Sequence, residues 1–568
     1  MHTIIRYIKP YKTKMIIGTS IKFIGAIMDL FIPYLLAHII DNVVPLKDPK
    51  LIFLWGGGMI LFSILAWATN VNANQRASRI AADATREIRH DTFSKISYLS
   101  SRQLDEFTVP SLVSRLTSDT YNIHRFLGMI QRMGVRAPFL LIGGIIITFT
   151  LEPVLTLIQV AILPVICVIV YFVSRKGIPM FNDLHRSVDG LVRIVQENCI
   201  GIRVIKALSK TDYEIGHFKD INEEVSDKDE HATAVMSITG PCMNFILNFG
   251  VTIILIVGAY RVNAGISQVG KLIAFQTYVT IILNAMLSVT RIFMMYSRAS
   301  SSADRIGEVL AAKDGMPLGT PDRKETDSHI EFENVSFSYN KIRNNINDLS
   351  FSLKHGQTLG IIGATGSGKS TLIQLLLRFY DPQKGVIRIN GEDIKGMAPE
   401  VLYTKFGIAF QNDILLADTI KENIVYGREG ITDESIEKAI EAAQAKNFID
   451  ELEEGVMHEL TIKGANISGG QKQRVLISRA LAGDPEILIL DDSSSALDYK
   501  TDAALRQAIN RDFKDTTTII VAQRISSIMN ADDIIVLEQG NVVGHGRHED
   551  LMRDCKEYAD IYDLQMGG

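Results

Sequence analysis

The chain has 568 residues, with 59 Lys and Arg against 64 Asp and Glu, for a formal net charge of −5. That balance leaves no basic footprint for nucleic acid, so no nucleic-acid partner is expected. A mean hydropathy of +0.14 is high for a soluble domain of this size, and the length allows two or more domains.

Taken in order, residues 1–14 hold Arg6, Lys9, Lys12 and Lys14 ahead of a long apolar stretch. The stretch lacks a small-residue cleavage site and runs too long for a cleavable signal, so it reads as a retained span. Ile4-Ile5-Arg6-Tyr7-Ile8 mixes apolar and basic residues, the pattern of a short helix lying on the inner leaflet. Six stretches are long and apolar enough to cross a bilayer: about 15–42, 52–74, 129–150, 153–174, 241–263 and 271–296. The connections 43–51, 151–152 and 264–270 are short. Those at 75–128 and 175–240 are long and rich in Arg and Lys, which puts them and both termini on the cytoplasmic side of a multi-pass plasma-membrane protein.

The long connections carry helical periodicity. Ile80, Ala84, Ile88, Phe93 and Ile96 recur at near-helical spacing among charges, so the spans are predicted to continue as helices beyond the bilayer. A leg of about 25 residues reaches roughly 37 Å. Turns are predicted near 102–114 and 209–216, tips suited to touching a cytoplasmic domain. Ionisable residues within the spans include Asp29 and Arg291. Each is either neutralised by a partner or snorkels to the interface; alternatively, Asp29 lines a water-filled cavity and meets cargo. Phe293, Met294, Met295 and Tyr296 offer either an adaptable apolar surface or ordinary packing. The four cysteines, Cys167, Cys199, Cys242 and Cys555, lack metal-ligand spacing and are expected to pack. His545 and His548 likewise have no ligand spacing.

Gly315, Pro317, Gly319 and Pro321 mark a linker over 311–328, dividing an all-helical membrane domain (1–310) from a second domain (329–568). In the latter, Ile330–Phe337 alternates like a strand, and Gln357–Ile362 is an apolar strand running into Gly363-Ala364-Thr365-Gly366-Ser367-Gly368-Lys369-Ser370. A helix follows. Strand, glycine-rich loop and helix together make a phosphate-binding loop in an α/β domain. Its glycines let backbone amides curl round phosphates at a helix N-terminus, Lys369 reaches the β- and γ-phosphates, and Ser370 ligates Mg²⁺. A second apolar strand, Ile487–Leu490, ends in Asp491, placed to hold Mg²⁺ directly or through water. Asp492 follows, at the position of the carboxylate that polarises attacking water.

Ile467-Ser468-Gly469-Gly470-Gln471 resembles the signature motif of ATP-binding cassette (ABC) transporters. The resemblance covers the whole chain: six spans with two long cytoplasmic connections, then one cassette, as in exporter half-transporters. It implies ATP and Mg²⁺ as ligands, a lipid bilayer, and a hydrophobic or amphipathic cargo. It further implies that Tyr339 stacks on adenine, that Gly363, Thr365, Gly366, Ser367, Gly368, Lys369, Ser370 and Thr371 bind ATP, and that Gln411 senses the Mg²⁺ held with Ser370 and Asp491. Asp498 matches the D-loop. Gly464 and Asn466 match the run before the signature, whereas Thr461 and Ile462 depart from its usual Gly-Glu pair.

In the family two cassettes meet head to tail, so Ser468, Gly469, Gly470 and Gln471 serve a nucleotide bound mainly by the partner. Two departures stand out. The family's catalytic Glu is Asp492 here, which withdraws the carboxylate by more than about 1 Å, a misplacement able to cost about a hundredfold. Its switch His is Gln523, which donates a hydrogen bond but cannot take up and pass on a proton at neutral pH. Together they resemble the degenerate half of heterodimeric bacterial exporters of multidrug type. The implied partner is a second half-transporter with Glu and His at the matching positions. The alternatives are a homodimeric exporter hydrolysing slowly at two equal sites, or a membrane regulator that senses ATP without pumping.

Overall fold

The computed structural model describes residues 2–411, 413–493 and 495–566; the side chains of Cys167 and Met294 lie outside the described set. The chain forms two compact units. One comprises Met1–Ser97 and Pro110–Ala312, the other Tyr98–Val109 and Lys313–Gly568.

The first unit is helical: α1 (His2–Ile8), α2 (Lys12–His38) and α3 (Pro49–Ser97). After α4 (Ser101–Phe107), which belongs to the second unit, come α5 (Val109–Ser114), α6 (Thr120–Met133) and α7 (Arg136–Leu151). The unit ends with α8 (Pro153–Ala207), α9 (Thr211–Ser237), α10 (Thr239–Asn263) and α11 (Val269–Ala311). Six of its helical runs are long and apolar enough to cross a membrane. They extend well past a bilayer's thickness: the 49 residues of α3 measure roughly 74 Å and the 55 of α8 roughly 82 Å. Pro153 opens α8 where its missing N–H costs nothing. The predicted tip near 102–114 contains α4 and α5, whereas the one near 209–216 is a tight turn between α8 and α9, with Ser209 at φ +53°.

Small residues let these helices approach closely. Ala26, Leu30, Leu140, Tyr278 and Ala285 form one buried cluster, and the Tyr278 hydroxyl donates to the Leu30 carbonyl at 2.5 Å. Nearer the start of α2, Ile4 and Tyr7 of α1 pack with Ile88, Ile123 and Ile306. The Tyr7 hydroxyl donates to Asp91 at 2.7 Å and that of Tyr11 to Glu87 at 2.6 Å, fastening α1 to α3, while Ile5 stays exposed. Asp29 meets Arg136 at 2.8 Å, and Arg291 is exposed.

The second unit holds two sheets. Its strands are β1 (Ile330–Phe337), β2 (Ile346–Leu353), β3 (Thr358–Gly363), β4 (Lys384–Ile389), β5 (Glu392–Asp393), β6 (Phe406–Ala409), β7 (Ile487–Asp491), β8 (Thr517–Val521), β9 (Asp533–Glu538) and β10 (Asn541–Gly546). An antiparallel sheet runs β2-β1-β4-β5; a six-stranded sheet runs β10-β9-β3-β8-β7-β6 and is parallel from β9 to β6. The helices are α12 (Lys369–Leu376), α13 (Pro399–Thr404), α14 (Ile420–Val425), α15 (Asp433–Ala442), α16 (Lys446–Asp450), α17 (Gly469–Leu481), α18 (Tyr499–Asp512), α19 (His548–Asp554) and α20 (Lys556–Met566).

The unbroken apolar run of β7 has a structural cause. Side chains alternate across a strand, and here both faces are covered. Ile487 and Ile489 join the core shared with the antiparallel sheet, while Leu488 and Leu490 join that beneath α17. Strand β8 divides the same way, Ile519 and Val521 to one side and Ile520 to the other. Helix α4, opened by a Ser100/Gln103 capping box, is tied into this unit. Gly315 N–H donates to the Tyr98 carbonyl at 2.8 Å, Gln103 Nε2 to the Lys313 carbonyl at 3.0 Å, and the Tyr380 hydroxyl to Asp105 at 2.6 Å.

Candidate functional site

Parallel strands put all their C-terminal ends on one edge, and that edge is where the predicted residues fall. Val521 of β8 lies between Ile361 of β3 and Asp491 of β7, while Leu490 lies opposite Ala409 of β6. The chain leaving each strand therefore delivers the glycine-rich loop, Gln523, Asp491 with Asp492, and Gln411 side by side.

The loop's shape depends on glycine. Gly363, Gly366 and Gly368 have φ of +156°, +80° and +109°. A Cβ at Gly368 would stand 2.8 Å from the Asn345 carbonyl oxygen, whereas one at Gly366 would meet nothing within 4 Å. Gly366 and Thr365 thus form an open lip. Lys369 Nζ donates to the carbonyls of Gly363 and Ala364, at 2.7 and 2.9 Å. Ser370 is exposed at the start of α12, and Thr371 is buried behind it.

The residues present fit a magnesium nucleotide. The Ser367 hydroxyl is buried with no hydrogen-bond partner among the described residues, an orphan that a phosphate would satisfy. Ser370, Gln411 and Asp491 offer one hydroxyl, one amide and one carboxylate, the sparse oxygen set Mg²⁺ takes when phosphates complete its shell.

Asp492 turns the chain away from β7 in the left-handed region, φ +48°, its N–H donating to the Val521 carbonyl at 2.9 Å. One carboxylate oxygen, Oδ2, accepts from Gln411 Nε2 and from Gln523 Nε2, both at 2.9 Å. Burial pushes the Asp492 carboxyl up, opposed by the Gln411 hydrogen bond and by the charges of Lys369 and Arg524. Asp491 is raised by burial and then by the neighbouring Asp492. Lys369 is lowered by burial, with both aspartates pulling the other way.

Tyr339 is half exposed; its hydroxyl donates to Gln374, and its ring stands edge-on to Tyr380 at 5.0 Å. Burial raises the Tyr380 hydroxyl's pKa, and the hydrogen bond to Asp105 adds to the shift. Ser468 caps α17, taking the Gln471 N–H at 3.3 Å while Gln471 Oε1 takes the Ser468 N–H at 2.8 Å. Thirteen helical residues stand behind that terminus, and a Cβ at Gly469 would find open space. Ser468 and Gln471 therefore bond to each other. Asp498 caps α18, accepting from Thr501 N–H at 2.9 Å and its hydroxyl at 2.7 Å. Thr461 is bound to Asn466 at 3.0 Å, and Ile462 is exposed.

Three contacts escaped the sequence reading. Gln374 holds Tyr339; nothing in its surroundings marks it. Asp105 and Tyr380 join α4 to the cassette, and only the tip's position hinted at this. Gln565 of α20 donates to the Gln523 carbonyl and accepts from Ile525 N–H, each at 2.8 Å. It clamps the loop that presents Gln523 from 40 residues away.

Comparison with known proteins agrees with this architecture. Residues 15–286 match the model of the ABC transporter transmembrane region, and residues 346–495 that of the ABC transporter domain. The uncharacterized ABC transporter ATP-binding protein YfiB of Bacillus subtilis (strain 168) is 34% identical over 569 residues, covering 100% of this chain and 99% of its own. The uncharacterized ABC transporter ATP-binding protein MT1311 of Mycobacterium tuberculosis (strain CDC 1551 / Oshkosh) is 31% identical, covering 98% and 96%. A solved bacterial Atm1-family ABC exporter with ATP bound superposes with a TM-score of 0.84 at 23% identity, covering 98% of each chain. The chain belongs to the ABC transporter family. It has the fold of an exporter half-transporter: a multi-pass membrane unit followed by a nucleotide-binding cassette.

Proposed function

We propose that this chain is the ATP-retaining subunit of a heterodimeric exporter. It sits in the plasma membrane with its cassette and both termini cytoplasmic and moves hydrophobic drugs, lipids or peptides outward. The observation carrying this reading is Asp492 Oδ2 shared between the amides of Gln411 and Gln523. A general base must reach the proton it takes. Here the carboxylate is one methylene short and occupied by two amides, and neither amide acts as an acid or a base at neutral pH.

Each remaining part has a role. The loop amides and Lys369 hold the phosphates, Tyr339 the adenine, and Ser370, Gln411 and Asp491 the metal. Bound Mg²⁺ would neutralise charge on the β- and γ-phosphates. Ser468 and the amides of Gly469 and Gly470 complete the partner's site, where a Glu and a His do the cleaving. Closure of the two cassettes on ATP is passed to the membrane helices through α4, and cleavage at the partner-led site resets the cycle.

The test is to co-purify this chain with a half-transporter carrying Glu and His at the matching positions, trap nucleotide during turnover, and count it at each site. The expected result is ATP retained at the site of Lys369 and ADP formed at the other. Brisk hydrolysis and cargo transport by this chain with no second gene product would replace this reading with a homodimer. Tight ATP binding with no transport by the reconstituted pair would replace it with a regulator.

A further inference from the structure

The charges within the spans are lopsided. At the end where α2 finishes and α11 begins they balance. Arg261 pairs with Glu152 at 3.1 Å, and the Asp41 carboxylate takes the N–H groups of Gly270 and Lys271 at 2.6 and 2.9 Å. Toward the end where α2 begins, the same spans hold Lys22, Arg132, Arg136 and Arg291 against a single carboxylate, Asp29.

Arg132 and Arg291 lie near the end of the apolar region, where an arginine can reach water. Lys22 does not. Lys22 is 4% exposed, and its ammonium donates to a neutral acceptor, Asn74 Oδ1, at 2.9 Å. It stands within electrostatic reach of Arg136, Arg132 and Asp29. Arg136 stands where α6 runs into α7. It pairs with Asp29, yet its Nε is buried without an acceptor among the described residues. One carboxylate, Asp29, thus stands among two cations, Lys22, which is buried, and Arg136, whose side chain is 39% exposed.

Arg136 also lines a cavity of about 290 Å³ between α7 and α11. Asn284 and Ser288 face it from α11, and Leu140 and Ile281 supply apolar wall. An apolar pocket with a few convergent polar groups is the usual form of a small-molecule site.

We propose that this cavity binds the anionic headgroup, carboxylate or phosphate, of an amphiphile, with Arg136 as its main contact, the Asn284 amide as a hydrogen-bond donor, Ser288 turning its hydroxyl from the Asn284 carbonyl at 2.8 Å to the anion, and Lys22 adding field from behind. The bound anion supplies the missing countercharge, and its tail lies along Leu140 and Ile281. This rests on the reading of the membrane unit as an amphiphile's path and narrows that cargo to anions.

The full chain is placed in phosphatidylcholine nanodiscs without nucleotide and titrated with a dansyl-labelled undecanoic acid, its methyl ester and the corresponding amine, with empty nanodiscs as blank. The acid is expected to bind saturably and the other two roughly tenfold or more weakly. Asp29→Asn with Arg136→Gln removes the pair together, and Asn284→Leu with Ser288→Ala leaves the charges alone. Each should weaken the acid by roughly tenfold at an unchanged unfolding temperature, and Lys22→Met should weaken it less. Adding phosphatidylglycerol identifies the source: competition assigns the headgroup to a bilayer lipid, and its absence to a free amphiphile. Equal binding of acid and ester, or acid binding unmoved by the variants, overturns the proposal. Binding is read without turnover, so such a failure leaves the export reading standing, and a failure of export leaves this one testable.

Discussion

Gln523 Nε2 lies 2.9 Å from Asp492 Oδ2, and the amide of Gln411 reaches the same oxygen from the neighbouring strand end at 2.9 Å. The two residues that the sequence marks as unlike the expected catalytic pair thus meet in one contact. A longer carboxylate alone would still face a glutamine amide. Asp492→Glu is therefore expected to raise turnover at this site by less than about tenfold, and Asp492→Glu with Gln523→His by about a hundredfold. Single-turnover cleavage of labelled ATP in the assembled dimer measures this, and full rescue by the single change would contradict it.

Lys369 now bonds two carbonyls of its own loop, so it is aimed before any phosphate arrives. Removing it as Lys369→Ala forfeits a charge-assisted contact of about 1.5–3 kcal/mol, or roughly ten- to a hundredfold in ATP affinity. Calorimetric titration of the full chain checks this, and an unchanged affinity would remove Lys369 from the site.

Two glycines in that loop should respond differently. Gly368→Ala combines φ +109° with a collision at 2.8 Å, whereas Gly366→Ala combines φ +80° with empty space. The first should cost about 1–3 kcal/mol plus ATP binding, the second only the backbone term of roughly 1 kcal/mol. Thermal unfolding of the two proteins side by side gives the ranking.

Acid should loosen the cassette through His329. Its ring is fully buried, stacked 3.7 Å from His355, with Nδ1 2.7 Å from the Thr517 hydroxyl. Burial, then the neighbouring His355, pushes its pKa down to about 4, with Glu486 opposing. A histidine of ordinary pKa in the unfolded chain binds its proton first, so stability rises with pH between about 4 and 6.5 and is lost as pH falls through that window. The loss is on the order of 3 kcal/mol. Unfolding temperatures across that range should flatten in His329→Asn; an identical slope would place the acid sensitivity elsewhere.

Tyr380→Phe deletes only the hydroxyl that holds Asp105. ATP affinity should stay within about twofold, because the ring still backs Tyr339, while cargo moved per ATP cleaved falls severalfold. Parallel transport and hydrolysis assays in vesicles distinguish this from a loss of both.

What the sequence made legible depended on distance along the chain. The glycine-rich loop is contiguous, so its residues and their shape could be read together. Asp492 and Gln523 were visible as departures from a pattern, yet their contact was not, because it follows from the β7–β8 register. Asp29 was noticed as a charge in an apolar run; Arg136 lies 107 residues away, and only the crossing of α2 with α7 makes them a pair. Gln374, Asp105 and Gln565 carry no local mark at all. Each is an ordinary polar residue on a helix, given its role by whatever the fold brings beside it.

Gln565 has a practical consequence. Helix α20 is a retaining pin for the loop that carries Gln523, so a pull on that helix would be felt at Gln523. A preparation nicked near residue 560 would be expected to bind ATP with a slackened grip.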